Sequence, residues 1–147
     1  MNNEKDNVYD LVEDFYAHDE GWNTLLRQEY AEGFLRMEAW KGKKNSDLYR
    51  SWDNLTMLCL YLGSAETFLG DMNADDFIDC IAWCGRNISE FTPDYKNTQD
   101  FLETCDGLFK YLKGKNAISN DTVPATAAEI LLQEGKMNII LPDGSFD

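Results

Sequence analysis

Several residue types are scarce in this chain, and each scarcity excludes a class of structure or partner. Only three of the 147 residues are proline, so long helices meet few interruptions. Basic residues number 13 against 27 acidic ones, which gives a formal net charge of −14. Because phosphate groups repel so acidic a chain, ordinary binding to nucleic acids and to anionic membranes is disfavoured.

The sequence leads us to expect neither a membrane-spanning segment nor a secretion signal. The longest apolar candidate, Leu55–Leu62, is far shorter than the roughly 20 residues that span a bilayer. The residues Met1–Asp10 are polar and acidic, whereas a secretion signal is basic and then apolar. We therefore expect a cytoplasmic protein without membrane segments, and we expect its four cysteines to be reduced thiols.

Residues that carry chemistry are few and poorly placed for it. His18 is the only histidine, and its neighbours Asp19 and Glu20 indicate a surface position. Cys80 and Cys84 have a spacing that loosely fits a zinc site, but both fall inside a predicted helix, so metal binding there stays an open alternative. No glycine-rich phosphate loop or serine nucleophile motif is present. We predict no catalytic, cofactor-binding or metal-binding residues.

The acidic residues fit helix ends and solvated surfaces better than an acid–base site. Pairs such as Asp75 with Asp79, and Glu103 with Asp106, share a predicted helix face without any sign of a pocket. Asn73, followed by Asp75, is typical of a helix start, where a side chain accepts backbone hydrogen bonds. We assign these carboxylates no catalytic role.

Two stretches, Ser46–Gly63 and Asn97–Lys113, carry the strongest pattern. Their apolar residues recur at steps of three and four, as on the buried face of an α-helix. The residues predicted to face the core are Leu48, Trp52, Leu55, Cys59 and Leu62 in the first stretch, and Phe101, Leu102, Cys105, Leu108, Phe109 and Leu112 in the second. In this pattern Cys59 and Cys105 act as small apolar packing residues. A shorter helix, Asn73–Cys84, is predicted between the two.

Weaker patterns predict helices on both sides of this core. A short helix at Val8–Phe15, a longer one from Trp22 to about Trp40, and a last one at Pro124–Gln133 are expected. The tail Lys136–Leu141 alternates weakly, which predicts an irregular or β-like segment. We therefore expect one all-α domain over residues 1–147, with a helical core at 46–121. Residues 1–45 would form a helical extension, and residues 122–147 the last helix and tail.

The remaining aromatic and basic residues allow two interpretations. Trp22, Trp40, Trp52 and Trp83, with Tyr49, Tyr61 and Tyr111, could stack on bases. A chain with this negative charge lacks the basic surface that such binding needs, so packing in or near the core is expected instead. Lys41, Lys43 and Lys44 form the only basic cluster, in a predicted loop, and we take them as a basic patch.

One family resemblance covers about half of the chain. It rests on Tyr49-Arg-Ser-Trp52-Asp-Asn-Leu55 with Leu60-Tyr-Leu62, on Leu69 to Phe77 with Ile81-Ala-Trp83, and on Phe109-Lys-Tyr-Leu112 with Lys115 to Asn120. This pattern resembles the SAM-like, core-binding helical domain of phage integrases, the tyrosine recombinases. The resemblance implies an orthogonal bundle of five or six helices that clamps DNA beside a separate catalytic domain. After Asp121 the chain has no Arg or His, so recombinase activity is not implied.

Together these patterns predict a non-enzymatic, cytoplasmic interaction or regulatory module, encoded by a bacterium or a mobile element, whose protein partner is unknown. One alternative is an acidic inhibitor or DNA mimic that binds a basic nucleic-acid-binding protein. A second is an integrase-like DNA-binding domain without catalysis, which would need Lys41, Lys43 and Lys44 to join Arg27, Arg36 or Arg50 in one patch.

Overall fold

The computed structural model describes residues 7–133, and the regular structure in that range is entirely helical. Two 3₁₀ turns, Glu20–Thr24 and Leu69–Asp71, accompany the α-helices. The helices are α1 (Val8–His18), α2 (Gln28–Trp40), α3 (Asn45–Ala65), α4 (Ala74–Asn87), α5 (Tyr95–Gly114) and α6 (Val123–Gln133). The predicted all-α bundle is confirmed. The predicted tail Lys136–Leu141 lies outside the described residues.

Helix α3 occupies the middle of the bundle. It packs against α1, α2, α4 and α5, while α6 rests on α4 and α5. Every residue that the two strong patterns placed in the core is buried, and the same hydrophobic cluster takes in residues from all six helices. Across residues 7–133, no helix combines the length and the apolar character needed to cross a membrane.

Side-chain caps mark the starts of α4 and α5. The Asn73 side chain accepts a hydrogen bond from the Asp76 N–H at 2.9 Å, and the Asp76 carboxylate accepts one from the Asn73 N–H at 2.8 Å. This reciprocal cap confirms the predicted start of α4. The Asp94 carboxylate accepts from the Asn97 N–H at 2.9 Å, so α5 begins at Tyr95 and not at Asn97 or Thr98.

The helices α3 and α4 both run past their predicted ends at Gly63 and Cys84. The helix α3 continues past Gly63 to Ala65, and Glu66 then takes the left-handed conformation with φ of 55°. The Glu66 N–H donates to the Leu62 carbonyl and closes the last turn. Likewise α4 continues past Gly85 to Asn87. Neither Gly63 nor Gly85 has a positive φ, so neither takes the left-handed conformation in which glycine closes a helix.

The predicted single helix from Trp22 to Trp40 is wrong, because the chain breaks near Leu26. Polar side chains satisfy the backbone locally: the Asn23 side-chain oxygen accepts from the Gln28 N–H at 2.8 Å, and the Thr24 hydroxyl donates to the Gly21 carbonyl at 2.8 Å. Short polar side chains compete with helical hydrogen bonds in this way. The result is a 3₁₀ turn, an extended Arg27, and a helix that begins only at Gln28.

A buried hydrogen bond ties α1 to this break. The Tyr16 hydroxyl donates to the Leu26 carbonyl at 2.5 Å, and both side chains are buried. Burial raises the pKa of Tyr16, so the phenol stays protonated and remains a donor. The bond satisfies a carbonyl that the interrupted helix leaves without a helical partner.

We expect Tyr16→Phe to lower the free energy of unfolding by about 1–3 kcal/mol, because the Leu26 carbonyl then stays buried without its donor. Urea unfolding followed by circular dichroism measures the change. Tyr9→Phe is the matched control, since the half-buried Tyr9 ring carries the Arg36 guanidinium on its face at 4.3 Å and no hydrogen bond of its hydroxyl is formed within residues 7–133. Equal losses in the two variants would contradict the role given to Tyr16.

Glycines allow α2 and α5 to cross closely. A Cβ atom at Gly33 would lie 1.9 Å from the Tyr111 hydroxyl oxygen, and one at Gly107 would lie 3.1 Å from Cε1 of the buried Phe34. An aromatic side chain of each helix thus rests over a glycine of the other. Gly33 is therefore a packing position inside α2.

Candidate functional site

A polar concavity lies between α3 and α5, which pack against each other. Its volume is about 480 Å³. Arg50, Asp53 and Asn54 reach it from successive turns of α3, and Asp100 reaches it from α5. Met57, Leu60, Ile88 and Phe91 supply apolar wall. We call this concavity the α3–α5 cleft.

A hydrogen-bond network crosses the floor of the cleft. Asn54, which is only 5% exposed, donates both side-chain N–H groups: one to Asp100 Oδ2 at 3.0 Å and one to Thr104 Oγ1 at 2.9 Å. The Thr104 hydroxyl donates in turn to the Asp100 backbone carbonyl at 3.1 Å. Both N–H groups of this buried amide are hydrogen-bonded, and rotating the amide would break both bonds. The Asn54 side chain therefore has one fixed orientation.

One cation, Arg50, faces the carboxylates that line the cleft. The Arg50 guanidinium lies 3.9 Å from Asp100 Oδ1 and 3.8 Å from Asp47 Oδ1, so one cation stands between two carboxylates. Burial raises the pKa of Asp53, which shares the cleft. Arg50, Asn54 and Asp100 therefore satisfy one another, which favours a role in packing α3 against α5 over a role in catalysis.

The cysteines of the core are buried in positions that disfavour reactivity. All four are free and buried, and the packing role predicted for Cys59 and Cys105 is confirmed. Burial raises the pKa of Cys59 to about 12, and it raises the pKa values of Cys80 and Cys105 well above the usual range for a thiol. Because the thiolate is both the nucleophile and the metal ligand, these thiols are poor candidates for either role.

Metal ligands do not gather in the described part of the chain. Within residues 7–133, no three or more side chains of His, Cys, Asp or Glu are arranged to hold a metal ion. Cys80 and Cys84 both lie in the buried face of α4. His18 is exposed at the end of α1, as expected for a surface histidine.

The predicted basic patch lies at the corner between α2 and α3, where residues 39–46 are all exposed. We call these residues the Trp40 corner. Lys41 Nζ is 4.0 Å from the Glu38 carboxylate, and Lys43 borders a small concavity with Arg50. Four carboxylates border that concavity as well: Glu38, Asp47, Asp100 and Glu103.

Arg27 and Arg36, two of the arginines that could have joined the basic patch, are each engaged with another side chain. Arg27 pairs with Glu29, and the Arg36 guanidinium lies over the Tyr9 ring. Arg50 borders the same concavity as Lys43, and four carboxylates border that concavity with them. This arrangement gives little support to a DNA-binding surface, which needs clustered positive charge.

The expectation that all the tryptophans pack inward is wrong for Trp40. Trp52 is buried, and Trp22 and Trp83 are partly buried against the core, but the Trp40 indole is 91% exposed. The physical reason is helical geometry: Trp40 lies roughly 120–140° around α2 from the buried Phe34 and Leu35. The chain then turns at Gly42, whose φ is 96°, and does not fold back over the ring.

Comparison with known proteins finds no matching family model, no similar curated protein and no similar solved structure.

The sequence-based prediction missed one feature of the α3–α5 cleft and one feature of the Trp40 corner. The Asn54–Asp100 contact joins residues 46 positions apart, and no local pattern links them. The exposure of Trp40 had a usable signal, because its position relative to the Phe34 and Leu35 stripe could be read from helical periodicity.

Proposed function

We propose that this chain is a non-enzymatic helical module that binds another protein through the Trp40 corner. The observation that carries the proposal is the Trp40 indole, which is 91% exposed and stands beside Lys41, Lys43 and Lys44. Tryptophan is among the residue types most enriched at the energetic centres of protein interfaces. A free indole flanked by cations suits an apolar pocket with an acidic rim.

The size of the indole makes this a substantial contact. Burying an aromatic side chain of this kind removes about 150–250 Å² from water. At about 25 cal/mol per Å², that area gives roughly 4–6 kcal/mol as an upper value. The lysines add attraction that is weaker and depends on salt.

The proposal includes that the module catalyses no reaction. The state of the cleft residues and of the buried thiols supports this part of it. In the α3–α5 cleft, Arg50, Asn54 and Asp100 are engaged with one another. Burial raises the pKa values of Cys59, Cys80 and Cys105, so these thiols keep their protons. Free thiols also favour a reducing compartment, so we place the module in the cytoplasm.

A quantitative pull-down tests the proposal. The wild-type chain and the variant Trp40→Ala are used as baits in a native lysate, and captured proteins are compared by mass spectrometry. We expect at least one protein to be retained by the wild type and to bind Trp40→Ala about 30-fold more weakly, as for a contact worth about 2 kcal/mol.

Leu11→Ala is the matched control for this experiment, because Leu11 is an exposed apolar residue on α1. It should retain the same proteins as the wild type. Circular dichroism should show all three chains equally helical. A Trp40→Ala chain that keeps every partner at wild-type affinity would remove the Trp40 corner from the proposal.

An acidic inhibitor or DNA mimic is the second candidate, and the exposed side of α4 favours it. Asp75 and Asp76 lie four and three residues before Asp79 on α4, which places the three carboxylates on one side of the helix. Burial, followed by the charges of Asp76 and Asp75, raises the pKa of Asp79. In this case the captured protein would be a nucleic-acid-binding protein with a basic surface. Its binding should fall steeply between 50 and 300 mM salt, roughly as in phosphate recognition, and should weaken in Asp75→Asn/Asp79→Asn.

A further inference from the structure

A groove separate from the Trp40 corner runs along the outer side of α5 and α6. Its volume is about 420 Å³. Leu102 and Pro124 are buried at its base, and Tyr95 and Leu132 stand at its sides with 46% and 63% of their surface exposed. All of its lining residues belong to α5 and α6, whereas Trp40 belongs to α2.

The helix α6 carries apolar residues on two sides. One stripe, which contains Val123, Ala127 and Leu131, is buried against the bundle. A second stripe, which contains Ala125, Ala128 and Leu132 at steps of three and four, lines the groove. A surface helix normally needs only the first stripe. A second apolar stripe is typical of a helix that packs against two partners. Within residues 7–133, only the helical bundle packs against α6.

The rim of the groove is acidic. Glu103 and Asp106 from α5 and Glu129 from α6 border it, and no basic residue among residues 7–133 lines it. Asp106 also accepts a hydrogen bond from Lys110 Nζ at 2.6 Å, one turn further along α5. An apolar base between carboxylates is complementary to a segment with apolar side chains and flanking Lys or Arg.

The spacing of the second stripe sets the form of that segment. From Ala125 to Leu132 the helix rises by about 10 Å, which is two turns. Two turns of an amphipathic helix present anchors at i, i+3 or i+4, and i+7. We propose that the α5–α6 groove docks a basic amphipathic helix of a partner protein. This surface and its partner chemistry are additional to the function proposed for the Trp40 corner.

Titration with a pair of designed peptides tests the proposal on the full chain. Both are about 15 residues long, so that helix can form, and both carry leucines at i, i+3, i+4 and i+7. One has lysine at the flanking positions and the other has glutamate. We expect the lysine peptide to bind at least about tenfold more tightly than the glutamate peptide, and to shift backbone amide signals of residues 99–106 and 124–132 in ¹⁵N-resolved NMR spectra.

Variants at exposed positions separate the groove from the acidic surface as a whole. Ala125→Arg puts bulk and like charge into the groove, and we expect it to weaken the lysine peptide by about tenfold or more. Ala65→Arg makes the same exchange at an exposed position at the end of α3 and should leave affinity within about twofold. Glu103→Gln/Glu129→Gln should reduce the preference for lysine over glutamate.

Three outcomes would overturn the proposal. The first is an equal effect of Ala125→Arg and Ala65→Arg. The second is a set of NMR shifts centred on Asp75, Asp76 and Asp79 of α4, which would indicate attraction to another acidic surface. The third is displacement of the lysine peptide by a second copy of the chain, or by a peptide of residues 134–147, at lower concentration than an unrelated acidic control. None of these outcomes depends on Trp40. The Trp40→Ala pull-down therefore tests the Trp40 corner independently of the groove.

Discussion

Replacing Asn54 by aspartate is expected to lower the free energy of unfolding by about 3–5 kcal/mol at pH 7.5. Asn54 is almost fully buried and gives both side-chain N–H groups to Asp100 Oδ2 and Thr104 Oγ1. The aspartate has no such donors when ionised, and it places a second carboxylate about 3 Å from the first. The loss combines two broken hydrogen bonds with repulsion between like charges.

The destabilisation of Asn54→Asp should shrink as the pH falls. Two carboxylates at this distance share a proton, so the pKa of the pair in the folded chain is raised above the value of about 3.9 for unfolded aspartate. The folded variant then binds more protons than the unfolded one, and its stability rises as the solution becomes more acidic. A protonated carboxyl can also donate to Asp100 and restore one bond.

Urea unfolding of the wild type and two variants at pH 5.5 and pH 7.5 measures this effect. Asn54→Leu is the matched control, since it removes the same two donors without adding charge, and we expect it to cost about 1–3 kcal/mol at both pH values. The gap between the wild type and Asn54→Asp should be smaller at pH 5.5 by 1 kcal/mol or more, roughly one pKa unit of linkage. A gap that is equal at both pH values would show that the side chains do not meet as described.

Alkaline pH is expected to destabilise the wild-type chain through its buried thiols. Burial raises the pKa of Cys59 to about 12, against about 8.5 for a cysteine in an unfolded chain. Between these values the native state keeps a proton that the unfolded state has lost, so stability is complete below about pH 8.5 and falls as the pH rises. Cys59 alone should remove about 2 kcal/mol between pH 8 and pH 10, and Cys80 and Cys105 act in the same direction.

Urea unfolding at pH 8, 9 and 10 measures the slope. The control is Cys59→Ala, which leaves a small cavity and is less stable at pH 8, but its loss between pH 8 and pH 10 should be smaller than that of the wild type by about 2 kcal/mol. A thiol reagent should modify no cysteine of the native chain at pH 8 and four after unfolding in urea. An identical slope in both chains would mean that Cys59 titrates normally in the fold.

Helical periodicity predicted the buried faces of α3 and α5 because it is a local property of the chain. Leu48 through Leu62 and Phe101 through Leu112 repeat at three and four residues, and tertiary packing did not override that pattern. The break before α2 was missed because Asn23 and Thr24 redirect hydrogen bonds of the backbone, a preference that an apolar pattern does not register.

The candidate surfaces were harder to predict, since each depends on neighbours distant in sequence. The Asn54 network requires α3 and α5 to meet at one register, and the groove requires two helices to leave a face open. The lysines of the Trp40 corner were visible in the sequence as a patch, but the carboxylates that surround Lys43 come from three helices. A linear charge pattern cannot show such an arrangement.

The crossing of α2 and α5 has a consequence for any partner that touches both proposed surfaces. With Tyr111 over Gly33 and Phe34 over Gly107, sliding either helix along the other would drive an aromatic ring into a neighbouring side chain. The Trp40 corner at one end of α2 and the groove beside α5 are therefore held at a fixed spacing. A bivalent ligand whose linker matches that spacing gains a high effective concentration for its second contact, and one with a shorter linker gains nothing.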